Sequence, residues 1–243
     1  MHRCHAPDLA PGDRDVALSA AETHHLVNVV RACVGDEVRV FDGRGHEFDA
    51  TVATITRRSA RLTIGAPVAP RPEPSVAITL AQAVLKTDRM NDVVGHATML
   101  GATTIQPLLT DRTVVPAAAT RGAAGARWSR LAVAAARQSG RAVVPLVHEP
   151  VRFGAFIEAG RDGPTVMLAE PSAGGAGPAF TPEATAIPDR AVLMVGPEGG
   201  WSPDECTAAR HAGCLEWRVS RLTLRADAAG PAALAVLLYL WDR

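Results

Sequence analysis

The stretch VGPEGGWSPDE, Val195–Glu205, decides how this chain is read. The apolar run AVLMV, 191–195, enters it and predicts a buried strand. Gly196, Gly199 and Gly200 then let backbone approach a ligand with no Cβ in the way. Ser202 is a good N-cap, Pro203 suits the first helical position, and Glu205 completes a capping box three residues on. The stretch therefore predicts a strand, a close-approach loop and a well-capped helix, or else an ordinary strand-to-helix turn with no ligand. Neither GxxxxGK[ST] nor GxGxxG occurs, and Glu198 would repel a phosphate. A cationic or neutral ligand suits the loop better.

Working outward, short apolar strands alternate with amphipathic helices on both sides. Strands are predicted over 76–84, 104–108, 165–169, 191–195 and 215–219. Helices are predicted over 89–100, 127–139, 203–212 and 228–241, several ended by a glycine. Such alternation argues a mostly parallel sheet covered on both faces, with ligands beyond the carboxyl ends of its strands. Residues 171–180, PSAGGAGPAF, read as a flexible loop. The segment VSRLTLRADAAGPAAL, 219–234, is a second strand-end loop leading into a helix. If the two loops form one pocket, Arg225 and Asp227 face it; otherwise both cap or solvate the helix start.

Upstream, four prolines within APVAPRPEPS, 66–75, mark a linker. Before it, strands are predicted over 37–41, 47–55 and 60–64, with a hairpin turning at Asp42-Gly43 or Arg44-Gly45. SAAETHHLVNVVRA, 19–32, predicts a short helix starting near Ser19 or Thr23. The division is thus 1–70 as a small β-rich domain, 71–75 as linker and 76–243 as an α/β domain.

Formal net charge is zero, so global charge names no partner, and Lys86 is the only lysine. Between Arg112 and His148 there are six arginines and no acid, which reads as a solvated helix face or as a phosphate-contacting surface. Cys4, Cys33, Cys206 and Cys214 form no CxxC pair and fit free thiols in a reducing cytosol. The longest apolar stretch, 228–241, is too short to span a bilayer. His24-His25 lacks the third and fourth ligands a metal needs, so no metal site is expected.

GPEGGWSPDE followed by LTLRADAAG resembles the ribosomal RNA small subunit methyltransferase E family, which are SPOUT-class enzymes. ETHHLVNVVRACVGDEVRVFDGRGHEF, 22–48, is similar to the family's PUA-like segment. LKTDRMNDVVGHATMLGATTIQPLLTDR, 85–112, is similar to its first strand–helix–strand unit, and ARQSGRAVVP, 136–145, to its glutamine–arginine motif. The resemblance implies a SPOUT-type parallel sheet with a carboxyl-terminal trefoil knot, preceded by a small PUA-like β-barrel. Knotted chains are rare exceptions to ordinary connection rules.

The same resemblance implies an activity: S-adenosyl-L-methionine-dependent methylation of N3 of one uridine in helix 44 of 16S ribosomal RNA. The implied enzyme works in the cytoplasm, as a homodimer, on the small ribosomal subunit. Its cofactor contacts would be Leu168, Ala169 and Glu170; Val195, Gly196, Glu198, Gly199 and Gly200; and Val219, Ser220, Leu222, Leu224 and Arg225. Arg225 would stabilise charge on the uracil oxygens or orient the base, and Asp227 would take the N3 proton, directly or through water. RNA contacts would come from His24, His25, Arg31, Arg57, Arg58 and Arg61 in the first domain, and from Lys86, Arg89 and Arg112 in the second. Gln138 and Arg141 would meet rRNA or the other subunit. A flipped-out or single-stranded uridine is the implied target, because pairing buries N3.

Gly95, His96 and Met99 stand where the family has glutamine, lysine and an acid. Ala226 and Ala228 stand where it has threonines. Two other readings remain open: a SPOUT methyltransferase for another RNA position, and a non-catalytic RNA-binding factor in ribosome assembly.

Overall fold

The computed structural model describes residues 1–56, 59–120, 122–170 and 179–242. Most of the glycine-rich loop expected at 171–180 lies outside the described residues. The chain forms two compact units, Met1–Glu73 with Val133–Val144, and Pro74–Ala132 with Pro145–Arg243. Segment 133–144 belongs to the first unit, which a linear division at 71–75 does not anticipate.

In the first unit the strands are β1 (His2–His5), β2 (Asp15–Ala17), β3 (Glu37–Phe41), β4 (Glu47–Ile55) and β5 (Ala60–Val68). They form one sheet in the order β1-β3-β4-β5-β2, antiparallel apart from the β1–β3 pair. Alternation along β3 and β4 sends Val38, Val40, Ala50 and Val52 to one face, where they pack with Cys4, Leu26 and Leu62. The β3–β4 connection is a five-residue loop rather than a two-residue turn. Asp42 closes it by accepting from the backbone N–H groups of Arg44 at 2.7 Å and His46 at 3.0 Å.

Of the two N-cap candidates, Ser19 is used: its Oγ accepts from the Glu22 N–H, and helix α1 covers Ala20–His24. The expected single helix instead continues as a π-helical turn, His25–Val30, which Arg31 ends in the left-handed region at φ 60°.

Segment 133–144 is fastened within this unit by ion pairs. Arg3 forks onto Glu47 through two 2.9 Å hydrogen bonds. It also donates to the carbonyls of Ala136, Arg137 and Arg141. Arg137 pairs with the buried Glu22 at 2.9 Å, and Arg141 pairs with Glu73. Buried charges persist only when paired and hydrogen-bonded, so these contacts specify where the segment lies.

The second unit begins with β6 (Ala77–Ala83), α2 (Thr87–Leu100) and β7 (Thr104–Leu109), and includes the start of α3 (Ala123–Ser139). It continues through β8 (Leu146–Val147), β9 (Val151–Arg152), α4 (Phe153–Glu158) and β10 (Thr165–Leu168). It ends with β11 (Arg190–Val195), α5 (Pro203–His211), β12 (Leu215–Trp217) and α6 (Ala226–Trp241). The strands form one parallel sheet in the order β12-β10-β11-β6-β7-β8, with β9 also pairing β7. Strands buried on both faces read as continuous apolar runs, which is why Ile78, Leu80, Ile105, Val166 and Leu193 are all fully buried. Each such side chain contributes about 1.5–3 kcal/mol of burial.

Helices α2 and α3 begin two and four residues before their expected starts, and α6 begins at Ala226. Pro231 therefore sits inside α6. Among the described residues no helix is long and apolar enough to cross a membrane.

Candidate functional site

Strands β10, β11 and β12 lie in the middle and at one edge of the parallel sheet. Their carboxyl ends open into three neighbouring loops, 168–170, 196–202 and 218–225. These loops, with the start of α6, enclose a cavity of about 310 Å³ in the second unit. That size lies within the range of about 300–1,000 Å³ for small-molecule sites. Strand order also reverses here: β6 is followed by β7 on one side, while β11 and β10 lie on the other. Crevices at such switch points are where open parallel sheets hold ligands.

The GPEGG loop is held in place by side chains on every side. Trp201 Nε1 donates to the Leu168 carbonyl at 2.9 Å and joins two of the three loops. A Cβ at Gly196 would approach the Trp201 ring to 3.2 Å. Gly200 sits at φ +69°, where an L side chain is strained, and its Cβ would collide with the Glu170 carboxylate. Gln82, fully buried on β6, reaches the Gly196 carbonyl at 3.5 Å through Nε2.

At the loop's far end the capping box is complete: Ser202 Oγ accepts from Glu205 N–H and Glu205 accepts from Ser202 N–H. Ser202 Oγ also donates to Asp111 at 2.6 Å, and the Asp111 N–H donates to Glu205 at 3.0 Å. The loop after β7 is thereby clipped to the first turn of α5.

Leu168, Ala169, Glu170, Val195, Gly196, Glu198, Gly200, Val219, Ser220, Leu222, Leu224 and Arg225 all line this cavity. Gly199 lies behind it, where a Cβ would meet the stem of Arg112. Pro197 and Thr223, which fall within the loops expected to hold the cofactor, also line it, as do Trp201 and Ala229, which were not anticipated. Trp201 is legible as an aromatic directly after the glycines. Ala229 is brought in only by the first turns of α6.

Three arginines take positions different from those expected. Arg89 lines the cavity and pairs with Glu198 at 3.3 Å. Arg112 donates Nη1 to the Gly199 carbonyl at 2.7 Å. Both hold the GPEGG loop. Arg141 is buried and paired with Glu73.

Arg61 stands on β5, paired with Asp15. His24, Arg31, Lys86 and Gln138 are exposed and His25 is half-buried. Arg57 and Arg58 lie outside the described residues.

Arg225 and Asp227 meet each other. Arg225 is an exposed N-cap position of α6, and Asp227 lies in the helix's first turn, outside the cavity lining. Partial burial pushes the Asp227 carboxyl up, but the hydrogen bonds and charge of Arg225, with the charge of Arg89, outweigh it. The carboxyl is held below the usual range. No group of three or more potential metal ligands forms among the described residues.

A family model described as an RNA methyltransferase domain matches residues 71–238. Another, described as an RNA methyltransferase PUA domain, matches residues 18–65. A parallel sheet with a strand-end cavity, together with a PUA domain, is the architecture of an RNA methyltransferase.

The ribosomal RNA small subunit methyltransferase E of Synechocystis is 33% identical over 226 residues, covering 90% of this chain and 71% of the relative. The structure of the Neisseria gonorrhoeae ribosomal RNA small subunit methyltransferase E, bound to S-adenosyl methionine, superposes with a TM-score of 0.88. It is 28% identical and covers 99% and 98% of the two chains. A Legionella pneumophila protein, Lpg2936, in complex with the cofactor SAM gives a TM-score of 0.89 at 26% identity, covering 98% and 96%. The chain belongs to the ribosomal RNA small subunit methyltransferase E family.

Proposed function

We propose that this protein methylates N3 of a single uridine in helix 44 of 16S ribosomal RNA, using S-adenosylmethionine held by loops 168–170, 196–200 and 219–225. The observation that carries the reading is the convergence of those three loops on one cavity at the strand ends. The cavity fits the cofactor's chemistry. Gly196 and Gly200 leave space that a Cβ would fill, Leu222 and Leu224 supply apolar walls, and Glu170 and Glu198 suit a cationic group. Bound there, the cofactor supplies an electrophilic methyl on a sulfonium.

The reaction forms the N3–CH3 bond, breaks the S–CH3 bond and releases the N3 proton. Neutral N3 has no nucleophilic lone pair, so deprotonation spreads charge onto the uracil oxygens. Arg225, exposed at the cavity wall, stabilises that charge and orients the base. Asp227, held ionised by Arg225, is a weak base. Its role is to aim the guanidinium, and the proton leaves to water.

The first unit contributes an RNA-binding surface, through His24, His25, Arg31, Arg61 and Gln138. Lys86, exposed before α2, is a further RNA contact on the second unit. Homodimerisation is part of the proposal, supported by exposed apolar side chains on α2 and α6: Met99 and Val236 at 37% and Tyr239 at 71%. The trefoil knot and a cytoplasmic location belong to the same reading.

The test uses purified protein, S-adenosylmethionine and small ribosomal subunits lacking the modification. Methyl at N3 blocks the Watson–Crick edge, so primer extension should stop beside the modified uridine. A stop that needs both protein and cofactor is expected. No stop, on subunits that another member of the family does modify, would overturn the reading. A stop elsewhere would favour a different RNA position.

A further inference from the structure

A second cavity, of about 320 Å³, lies entirely within the first unit, far in the chain from the cofactor loops. Its wall is built from β1, the π-helical turn, the residues after β5 and the end of α3. The side chains that matter are His2, Arg3, His25, Arg71, Arg137 and Gln138, and among the described residues no acidic side chain lines it.

Two of its arginines are structural. Arg3 is neutralised by Glu47 and Arg137 by Glu22, and both are mostly buried. Arg71 differs: it is exposed and has no carboxylate partner among the described residues. Its Nη1 donates to the Ser139 carbonyl at 3.2 Å, and its guanidinium lies against Gly140, where a Cβ would come within 2.8 Å of Nε.

The end of a helix carries partial negative charge on its free carbonyls, which repels anions. Here Arg3 occupies the carbonyls of Ala136 and Arg137, and Arg71 occupies that of Ser139. The repulsion is offset before any ligand arrives. What remains is an un-neutralised guanidinium, two imidazoles, an exposed amide on Gln138 and a buried Arg137 Nε with no acceptor among the described residues. This set of donors matches an anion with several acceptor oxygens.

We infer that this pocket holds a backbone phosphate of RNA, gripped by Arg71 with His2, His25 and Gln138. The inference rests on the RNA-methyltransferase reading and adds a defined anchoring point to it. It also gives the exposed Arg71 a role that the RNA contacts implied by the sequence motifs lack.

The experiment measures binding of a single-stranded RNA oligonucleotide by the full chain across a salt series, by fluorescence anisotropy. Arg71→Gln removes the free charge, and Gln138→Glu places a carboxylate on an exposed position at the mouth. Each should weaken binding about tenfold at low salt. The slope of log affinity against log salt should fall by about 0.7 in Arg71→Gln, the loss expected for one phosphate contact on a single strand. Affinity for S-adenosylmethionine, by calorimetry, should match wild type in both.

Inorganic phosphate, titrated at constant ionic strength and followed by the His25 ring signals, separates two sources of the same chemistry. A saturable shift lost in Arg71→Gln means that the pocket takes the free anion. No shift alongside the lost slope means that it needs a diester within a chain. Unchanged affinity and slope in both variants would overturn the site. Absent methylation by the wild-type protein bears on the functional reading alone, because the salt slope is measured without turnover.

Discussion

Arg225 grips Asp227 in a fork, Nε to Oδ1 at 3.0 Å and Nη2 to Oδ2 at 2.5 Å. Both carboxylate oxygens are engaged, and the group is held below the usual carboxylate range. A general base works best with a pKa near the operating pH, and Asp227 lies on the wrong side of it. Arg225→Ala should therefore lower kcat by about 10²–10³, the scale of losing one donor to developing charge. Asp227→Asn keeps an acceptor for Arg225 and should cost much less. A kcat loss in Asp227→Asn as deep as in Arg225→Ala, with KM unchanged, would make Asp227 the proton acceptor instead.

Gly200 is the most constrained position of the cofactor loop, because it combines φ +69° with a close approach to Glu170. Gly200→Ala should weaken S-adenosylmethionine binding by tenfold or more in calorimetry. Gly213 supplies the control: its φ is +76°, but among the described residues nothing lies within 4 Å of its Cβ position. Gly213→Ala carries the left-handed strain of about 1–2 kcal/mol. It should lower the unfolding midpoint while leaving cofactor affinity intact. Equal affinity losses in the two variants would mean that strain alone, and not the space at Gly200, sets binding.

Ser202 links two elements that the sequence separates by 91 positions, accepting from Glu205 and donating to Asp111. Ser202→Ala removes an N-cap and a charge-assisted hydrogen bond, together about 2 kcal/mol. Asp is ordinarily as good an N-cap as Ser, yet Ser202→Asp should be no better than Ala here, because its carboxylate would face that of Asp111. Urea unfolding followed by tryptophan fluorescence reads both. Wild-type stability in Ser202→Asp would show that the Asp111 contact is dispensable.

The five longer strands of the parallel sheet and its helices α2, α3, α5 and α6 were legible from apolar runs and helical periodicity, whereas the two-residue strands β8 and β9 and the six-residue α4 are too short to carry a period. Ser202-Pro203-Asp204-Glu205 announced α5 through local chemistry alone. β1 and β2 were missed, being short strands whose partners lie far along the chain: His2 pairs with Val38, and Asp15 with Thr63. The glycines and strand ends pointed to loops 196–200 and 219–225, while the part of loop 168–170 in the same cavity came only from the family resemblance.

The fates of Arg89, Arg112 and Arg141 were not legible. An arginine looks the same in sequence whether it meets RNA, a loop carbonyl or the half-buried Glu73. Only the tertiary fold decides. Segment 133–144 shows the same limit, since its place in the first unit depends on Arg3, Arg137 and Arg141 finding acceptors that no periodicity encodes.

Two histidines give the first unit a pH dependence whose sign is fixed. Burial is the main cause that lowers the pKa of both His5 and His25 below the ordinary value of 6.5, with Arg137 also pushing them down and Glu22 opposing. Above that pH both rings are neutral in folded and unfolded chains, and they contribute nothing to the difference. As pH falls through 6.5 the unfolded chain takes up protons that the folded chain refuses, so stability declines until the folded pKa is reached.

The four tryptophans all lie in the second unit, so fluorescence is no direct probe of the first. Cys4 does, because it is buried in the first unit's core and its thiol is pushed up to about 12. A short alkylation pulse at fixed pH, after equilibration in urea at pH 7.5 or 5.5, labels Cys4 only in unfolded chains. The urea midpoint should be lower at pH 5.5. Replacing both histidines, His5→Gln with His25→Gln, should bring the two midpoints together. An unchanged gap between them in that variant would assign the acid sensitivity to other groups.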